Sequence, residues 1–591
     1  MDDCPNYSCY NFAWQATLEG ILSNLKGALQ NVSNTNELGQ EPAPKKLTTE
    51  AIFMLNVIFI FVILAVIGSS VSAIELFCKE FRKEIATLLL NGKEKNTNEA
   101  EYAVAKKKSF EPSFCASIKS KDVNIYNIKQ LVRDGLHLAF KLISKNGVWR
   151  NCKKYLECFS IQSNLRKMLS TISGEEQFNA LHGIKTLALI WVSISHICMF
   201  YATILKTVSE EFQNVLEMPI MQLIFNGIFA NDVFFVLSGF LNAYMFFDYY
   251  EKRNGNIPWF LFYISRFLRF TPLYIIVLGS YATLFSYTGS GSVWPTYNTN
   301  PICRENWIWN VLYLNNFSLH KNLCMLTTWY IACDLQLYIV SPLFLLLLIR
   351  RPRTAFALII TCICGSCFTS FMLTKHFKLI DGISKLASHS HAMASFYGRF
   401  WVYFDMIYVK PYIRIGSYLV GIVLGYLVFQ RKFSECKRNN LVTLSIGWLA
   451  TILFSCIAFF ALYNRDESDW ERAIFNGVKD LLFSFSISWV IFVCVTGQGG
   501  IINWLLSLKI FVPFSRLSYC FYFIHMIAIE KYFLSVEQLT EFSLVSAVLL
   551  HFYIILGSWI VSFVVSLIFE RPLLNLLGLF FKNTKQEKKT Q

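Results

Sequence analysis

Apolar residues run in long stretches along this chain, and the first, Ala51 to Ile74, contains no charged side chain. A helix needs about 20 apolar residues to cross bilayer hydrocarbon, so this stretch predicts a transmembrane helix. Ten more follow, at 183–205, 220–247, 270–287, 326–349, 354–374, 412–429, 441–463, 474–497, 510–534 and 543–568. The pattern predicts an all-α polytopic bundle of about 11 spans, one and then ten. Between 75 and 180 it gives way to lysine-rich, turn-rich sequence with short amphipathic patches. The expected organisation is an extracytoplasmic segment at 1–49, a first helix at 50–75, a basic cytoplasmic linker at 76–180, a ten-helix membrane domain at 181–572 and a basic cytoplasmic tail at 573–591.

Composition agrees: the 591 residues are 54% hydrophobic, 16% aromatic with 54 Phe, and only 16% charged, a balance that soluble domains do not carry. The net charge of +15 would suggest nucleic acid if it lay on one surface. Here Lys and Arg gather between apolar runs, which is a topology signal, and no nucleic-acid partner is expected. Arg350, Arg351 and Arg353, then Arg431, Lys432, Lys437 and Arg438, then Lys582, Lys585, Lys588 and Lys589 fall on one side of an eleven-span chain. The positive-inside rule makes that side cytoplasmic, with the amino terminus outside and the carboxy terminus inside. The sequons at Asn6, Asn31 and Asn316 then lie outside, as glycosylation requires. Cys4, Cys9, Cys303 and Cys324 lie there too, where disulfides are allowed, and Cys303 and Cys324 are the candidates within the main domain. The start Met-Asp-Asp-Cys has no signal-peptide pattern. Either the first span inserts tail-first, or an upstream leader and part of an outer domain precede it, and the short Cys-bearing start favours the second.

Ionisable groups inside spans are costly and point to function. Lys185 and His196 are eleven residues apart, so they share a helix face within about 20° and lie roughly 16 Å apart along the axis. On a helix rising from the cytoplasm, Lys185 sits at the inner end to meet an anion, and His196 sits near mid-membrane to take a proton from a hydroxyl. A snorkelling lysine and a hydrogen-bonded core histidine are the plain alternatives. Asp232, in the run Asn231 to Phe240, lies at the depth of His196 and is placed to orient the imidazole; pairing with another helix is its plain alternative. Ser238 and Gly239 permit close helix approach. Arg266 and Arg269 share a face on the approach Tyr263 to Pro272 and, with Lys185, make an inner cationic mouth for phosphates, or else serve as interfacial anchors.

Further out, Trp329, Asp334 and Tyr338 on one span, with Ser518, Tyr522 and His525 at helical spacing on another, are candidates for an acceptor pocket. Cys362, Cys364 and Cys367 have no acidic or histidine neighbour, so no metal site is expected.

Six motifs in order carry a resemblance: Lys185 with ten residues before His196, Asn231 to Phe240, Arg266-x-x-Arg269 through Pro272, Trp329 to Pro342, Leu517 to His525, and Glu570-Arg571-Pro572. Over about 181–572 the chain resembles the membrane acyltransferase 3 family. Its extra first span behind a Cys-bearing segment resembles the animal branch called nose resistant to fluoxetine. The resemblance implies a membrane-bound O-acyltransferase that moves an acyl group from cytoplasmic acyl-CoA to a hydroxyl on a lipid, glycan or protein. Membrane lipids would surround it, in the plasma membrane or endoplasmic reticulum. It further implies that Lys185, Arg266 and Arg269 hold donor phosphates, that His196 is the general base and that Asp232 supports it. Two positions depart: Lys185 stands where bacterial relatives usually have Arg, and Asp334 replaces the family glutamate. A carrier of lipids or lipophilic molecules would use the same polar path without bond formation, but the halves show no repeat of hydropathy or motif of the kind secondary transporters have. A receptor-like scaffold organised by its outer domain is a third reading, weakened by how short the outer segment is.

Overall fold

The computed structural model describes residues 45–105, 147–171, 178–206, 209–291, 293–382, 393–431, 441–463 and 465–590. Asn6, Asn31, Cys4 and Cys9 lie outside the described residues, as do Lys432, Lys437 and Arg438. The described residues form helices and connecting turns. In chain order the helices are α1 (Thr49–Ala105), α2 (Gly147–Glu157), α3 (Ile161–Leu169), α4 (Ala180–Tyr201), α5 (Glu210–Leu216), α6 (Pro219–Phe225), α7 (Ala230–Lys252), α8 (Trp259–Leu284), α9 (Pro301–Val311) and α10 (Trp329–Arg350). They continue as α11 (Pro352–Phe377), α12 (Met393–Tyr403), α13 (Pro411–Arg431), α14 (Leu441–Phe460), α15 (Asp469–Val495), α16 (Gly500–Leu506), α17 (Phe511–Arg516), α18 (Ser518–Leu534), α19 (Leu544–Val565) and α20 (Arg571–Thr590).

Among the described residues ten helices are long and apolar enough to cross a membrane by length and composition, against eleven expected. The difference is the stretch 510–534, which breaks at Leu517 into α17 and the 17-residue α18. Where 76–180 was read as turn-rich from the start, α1 runs on to Ala105, because Glu, Lys, Ala and Leu after the apolar stretch are strong helix formers.

The chain divides into two compact units, Met1–Asn56 with Leu169–Ser566, and Val57–Met168 with Leu567–Gln591. The smaller unit is pinned by specific contacts. Ser69 Oγ accepts from the Ile161 amide at 3.0 Å, Lys153 meets Glu75 at 2.8 Å, and Asn575 Nδ2 donates to Asn164 Oδ1 at 2.8 Å.

In the larger unit α7 and α13 pack closely along much of their length. A Cβ at Gly239 would sit 2.2 Å from the Tyr418 carbonyl oxygen, and one at Gly421 would sit 2.2 Å from that of Val236. Without a hydrophobic drive between helices in lipid, backbone contact over small residues holds such pairs together. This junction carries Asp232 and Asn231 on one side and Arg414 and Ser417 on the other. Between α8 and α10 the chain forms a loop region around α9, closed by a Cys303–Cys324 disulfide.

Candidate functional site

On α4, His196 faces α18. His525 Nδ1 lies 2.9 Å from the Phe521 carbonyl oxygen, and its Nε2 lies 3.3 Å from His196 Nδ1. A carbonyl only accepts, so His525 Nδ1 carries a proton and, in the neutral ring, Nε2 must accept. His196 Nδ1–H is then the donor, and the lone pair of neutral His196 is on Nε2. The two rings are nearly parallel, 9° apart. The tautomer that general-base chemistry needs is thus fixed by an imidazole and a main-chain carbonyl.

His196 and His525 line one cavity of about 60 Å3, together with Trp329, Tyr330, Thr327 and Tyr522. That is room for on the order of four waters, so it admits the reacting end of a substrate. Trp329 packs against Tyr408 with ring centres 4.9 Å apart and planes tilted by 55°, and Tyr408 belongs to a π-helical turn, Phe404–Tyr408, that extends the aromatic wall. Tyr522 donates its hydroxyl proton to the Thr327 carbonyl.

Asp232 does not reach this pair, which corrects its expected role. It is buried against Arg414, whose Nη1 lies 3.1 Å from both carboxylate oxygens, and it accepts from Ser417 Oγ at 2.8 Å. Arg414 also meets Asp480 at 2.9 Å and donates from Nε to the Tyr408 carbonyl at 2.9 Å. The face that Asp232 turns to its neighbours differs from the one expected. Arg414, Lys479 and Asp480 passed unnoticed, although an ionisable group inside each of the stretches 412–429 and 474–497 was the available signal.

Arg266 and Arg269 both lie close enough to Lys185 to act on its charge. Arg266 Nη2 meets Asp334 at 2.5 Å and Ser238 Oγ at 2.8 Å, and its guanidinium sits 4.4 Å from the Tyr338 ring centre. Asp334 and Tyr338 therefore belong with the cations and not with the acceptor pocket. Ser518 is also out of the pocket, its hydroxyl donating to the Ser515 carbonyl at 2.8 Å. Of the six pocket residues expected, Trp329, Tyr522 and His525 line the cavity. Lys185 does not line it; Leu189, one turn away on the same face, does. Tyr330, which the sequence reading did not single out, lines the cavity and is also near enough to Asp334 and Arg266 to feel their charges.

Asn316 is fully buried, with its amide nitrogen donating to Gln336 Oε1 at 3.0 Å. An oligosaccharide needs an accessible amide, so this geometry corrects the glycosylation expected there. Among the described residues no group of three His, Cys, Asp or Glu is placed to hold a metal.

Apolar helices of membrane-spanning length around buried charges and a histidine pair define an integral multi-pass membrane protein with a polar interior. The chain belongs to the acyltransferase 3 family: the family's model, described as an acyltransferase domain, matches residues 178–568. It is similar to nose resistant to fluoxetine protein 6 of Caenorhabditis elegans, 29% identical over 461 residues that cover 73% of this chain and 55% of the relative. It is also similar to regulator of hypoxia-inducible factor 1 of the same worm, 27% identical over 299 residues, 47% of this chain and 56% of the relative. The chain spans about half the length of the curated relatives it matches. No solved structure matches it.

Proposed function

We propose that this chain is a membrane-bound O-acyltransferase using acyl-CoA from the cytoplasmic side and a hydroxyl-bearing lipid, glycan or protein as acceptor. The observation that carries the reading is the His196–His525 pair: its hydrogen bonds make His196 Nε2 the basic nitrogen, in a residue that lines a cavity on the helix face that also bears Lys185. In the step, Nε2 takes the acceptor's hydroxyl proton as the oxygen attacks the thioester carbonyl. The tetrahedral oxyanion collapses, the C–S bond breaks, and the departing thiolate takes the proton back from His196. His525 holds the ring throughout and shares the charge of the transient imidazolium. No metal is invoked.

Lys185, Arg266 and Arg269 would hold the donor's phosphates, with Asp334 and Ser238 fixing the Arg266 fork. Tyr330 stands between cations and cavity, so the thioester passes it to reach His196. The basic loops make the cation side cytoplasmic and the α8–α10 loop region extracytoplasmic, in the plasma membrane or endoplasmic reticulum. The disulfide at Cys303–Cys324 supports that orientation.

The competing reading is a carrier of lipids or lipophilic small molecules. Isotopically labelled acyl-CoA supplied to membranes expressing the chain separates the two. Acyl transfer predicts label in a lipid, glycan or protein ester. Retained donor binding with no labelled ester in any fraction would give the case to the carrier.

A further inference from the structure

Phe400, Trp401, Phe404 and Tyr408 of the cavity lining come from one stretch, the 11-residue α12 and the π-helical turn Phe404–Tyr408 that follows it. That stretch is pinned near both ends. Tyr397 donates its hydroxyl proton to the Met199 carbonyl of α4 at 2.9 Å, and Arg414 Nε donates to the Tyr408 carbonyl at 2.9 Å. Between the pins the backbone takes a kind of turn that is rare in helices and frequent at functional sites.

Asp405 sits in that turn and grips the loop between α9 and α10. Its Oδ1 accepts from the His320 amide at 2.8 Å, and its Oδ2 accepts from His320 Nδ1 at 2.6 Å. Two nitrogens of one residue thus donate to a single carboxylate, a charge-assisted grip at two points. The His320 ring also stacks on Trp401, with centres 4.9 Å and planes 21° apart. Since Trp401 lines the cavity as well, its indole stands between the loop and the cavity. Lys410 Nζ adds a second tie between the same two stretches, donating to the Asn316 carbonyl at 2.9 Å. The side chains of His320 and Asp405 are 13% and 9% exposed, so the grip lies at the edge of the packed interior and not within it.

We propose that the His320–Asp405 clasp is the latch of an outer gate to the cavity. When it parts, the stretch from Phe400 to Phe404 moves outward between its pins, and the cavity opens toward the loop that bears His320. A segment held by a few polar bonds at the surface opens without global unfolding, which a continuous helix such as α4 or α10 does not do. While the clasp is shut, Trp401 and Phe404 keep water from His196. The inference rests on the acyltransferase reading for what passes the gate, an acceptor alcohol, but the opening itself is read without turnover.

The test uses the full chain in lipid nanodiscs with Met526→Cys as reporter, at a cavity-lining position only 2% exposed. A charged methanethiosulfonate reagent is the probe, and peptide mass spectrometry gives the labelling rate. Native Cys333, fully buried and not part of the cavity lining, is the internal control. Asp405→Ala removes both bonds of the clasp and should speed labelling of the reporter about tenfold or more. His320→Phe keeps the amide bond and the ring stack, so it should speed labelling about threefold. Cys333 should label no faster in either. Unchanged reporter labelling in both variants overturns the gate, and so does equal speeding at Cys333, which would mean a loosened fold. Should Asp405→Ala not fold, His320→Phe decides alone. Labelled acyl-CoA added to the same samples reads the parent proposal separately: faster labelling with no labelled ester would leave the gate standing and remove the transfer reaction.

Discussion

Two clusters of charge lie buried in this bundle, and they are built differently. Around Arg414, two carboxylates and a backbone carbonyl close on one guanidinium and Ser417 donates to Asp232, with Arg414 and Asp232 side chains each 1% exposed. Around Lys185, Arg266 pairs with Asp334 and both Arg266 and Arg269 lie close to the Lys185 ammonium, while Arg266 Nε and Asp334 Oδ1 are buried without hydrogen-bond partners among the described residues. A closed cluster ties helices together, because its charges have no call on anything else. An unbalanced one holds potential that an incoming anion can use. The first reads as architecture, joining α7, α13 and α15 behind the aromatic wall. The second reads as a binding mouth.

Breaking the closed cluster should have the largest effect. Arg414→Leu strands the buried carboxylate of Asp232 and the partly buried one of Asp480 and is expected to cost about 3–5 kcal/mol, read as a lost or strongly lowered unfolding transition in detergent. Asp232→Asn sharpens the same point: if the carboxylate served His196, turnover would fall with stability intact, whereas its observed partners predict loss of stability first. Next comes the histidine pair. His525→Phe removes the acceptor that sets the His196 tautomer and should lower kcat on the order of 100-fold with little change in donor affinity, while His525→Gln, which keeps an acceptor, should lose less. Lys185→Ala relieves repulsion in the open cluster, so it should leave the melting temperature unchanged or raised while weakening acyl-CoA binding about tenfold, as titration calorimetry would read. The smallest effect is expected at Tyr330. Tyr330→Trp narrows the passage between cluster and cavity and should slow transfer a few-fold while leaving donor binding as it was, a split between single-turnover rate and Kd.

Much of this was legible in the chain, for identifiable reasons. Apolar length located the helices because a bilayer imposes it, and the three spacings Lys185 to His196, Arg266 to Arg269 and Tyr522 to His525 carried side chains to shared faces because helical geometry is local. What one helix cannot reveal is which face its neighbour presents. That is why Asp232 went to Arg414, Asp334 and Tyr338 joined the cations, and His525, read as a pocket residue, proved to be the partner of His196. Leu517 hid the break between α17 and α18 within a continuous apolar stretch, since hydropathy does not register a lost turn. Asn316 carries a sequon, but the amide pair it makes with Gln336 depends on the fold around Tyr313, which no sequon encodes.

The account stands most directly on His196. Purified chain in nanodiscs, given labelled acyl-CoA and a membrane extract as acceptor pool, should form labelled ester, and His196→Ala should form none while binding acyl-CoA with unchanged affinity. Equal ester formation by the two proteins would contradict the account.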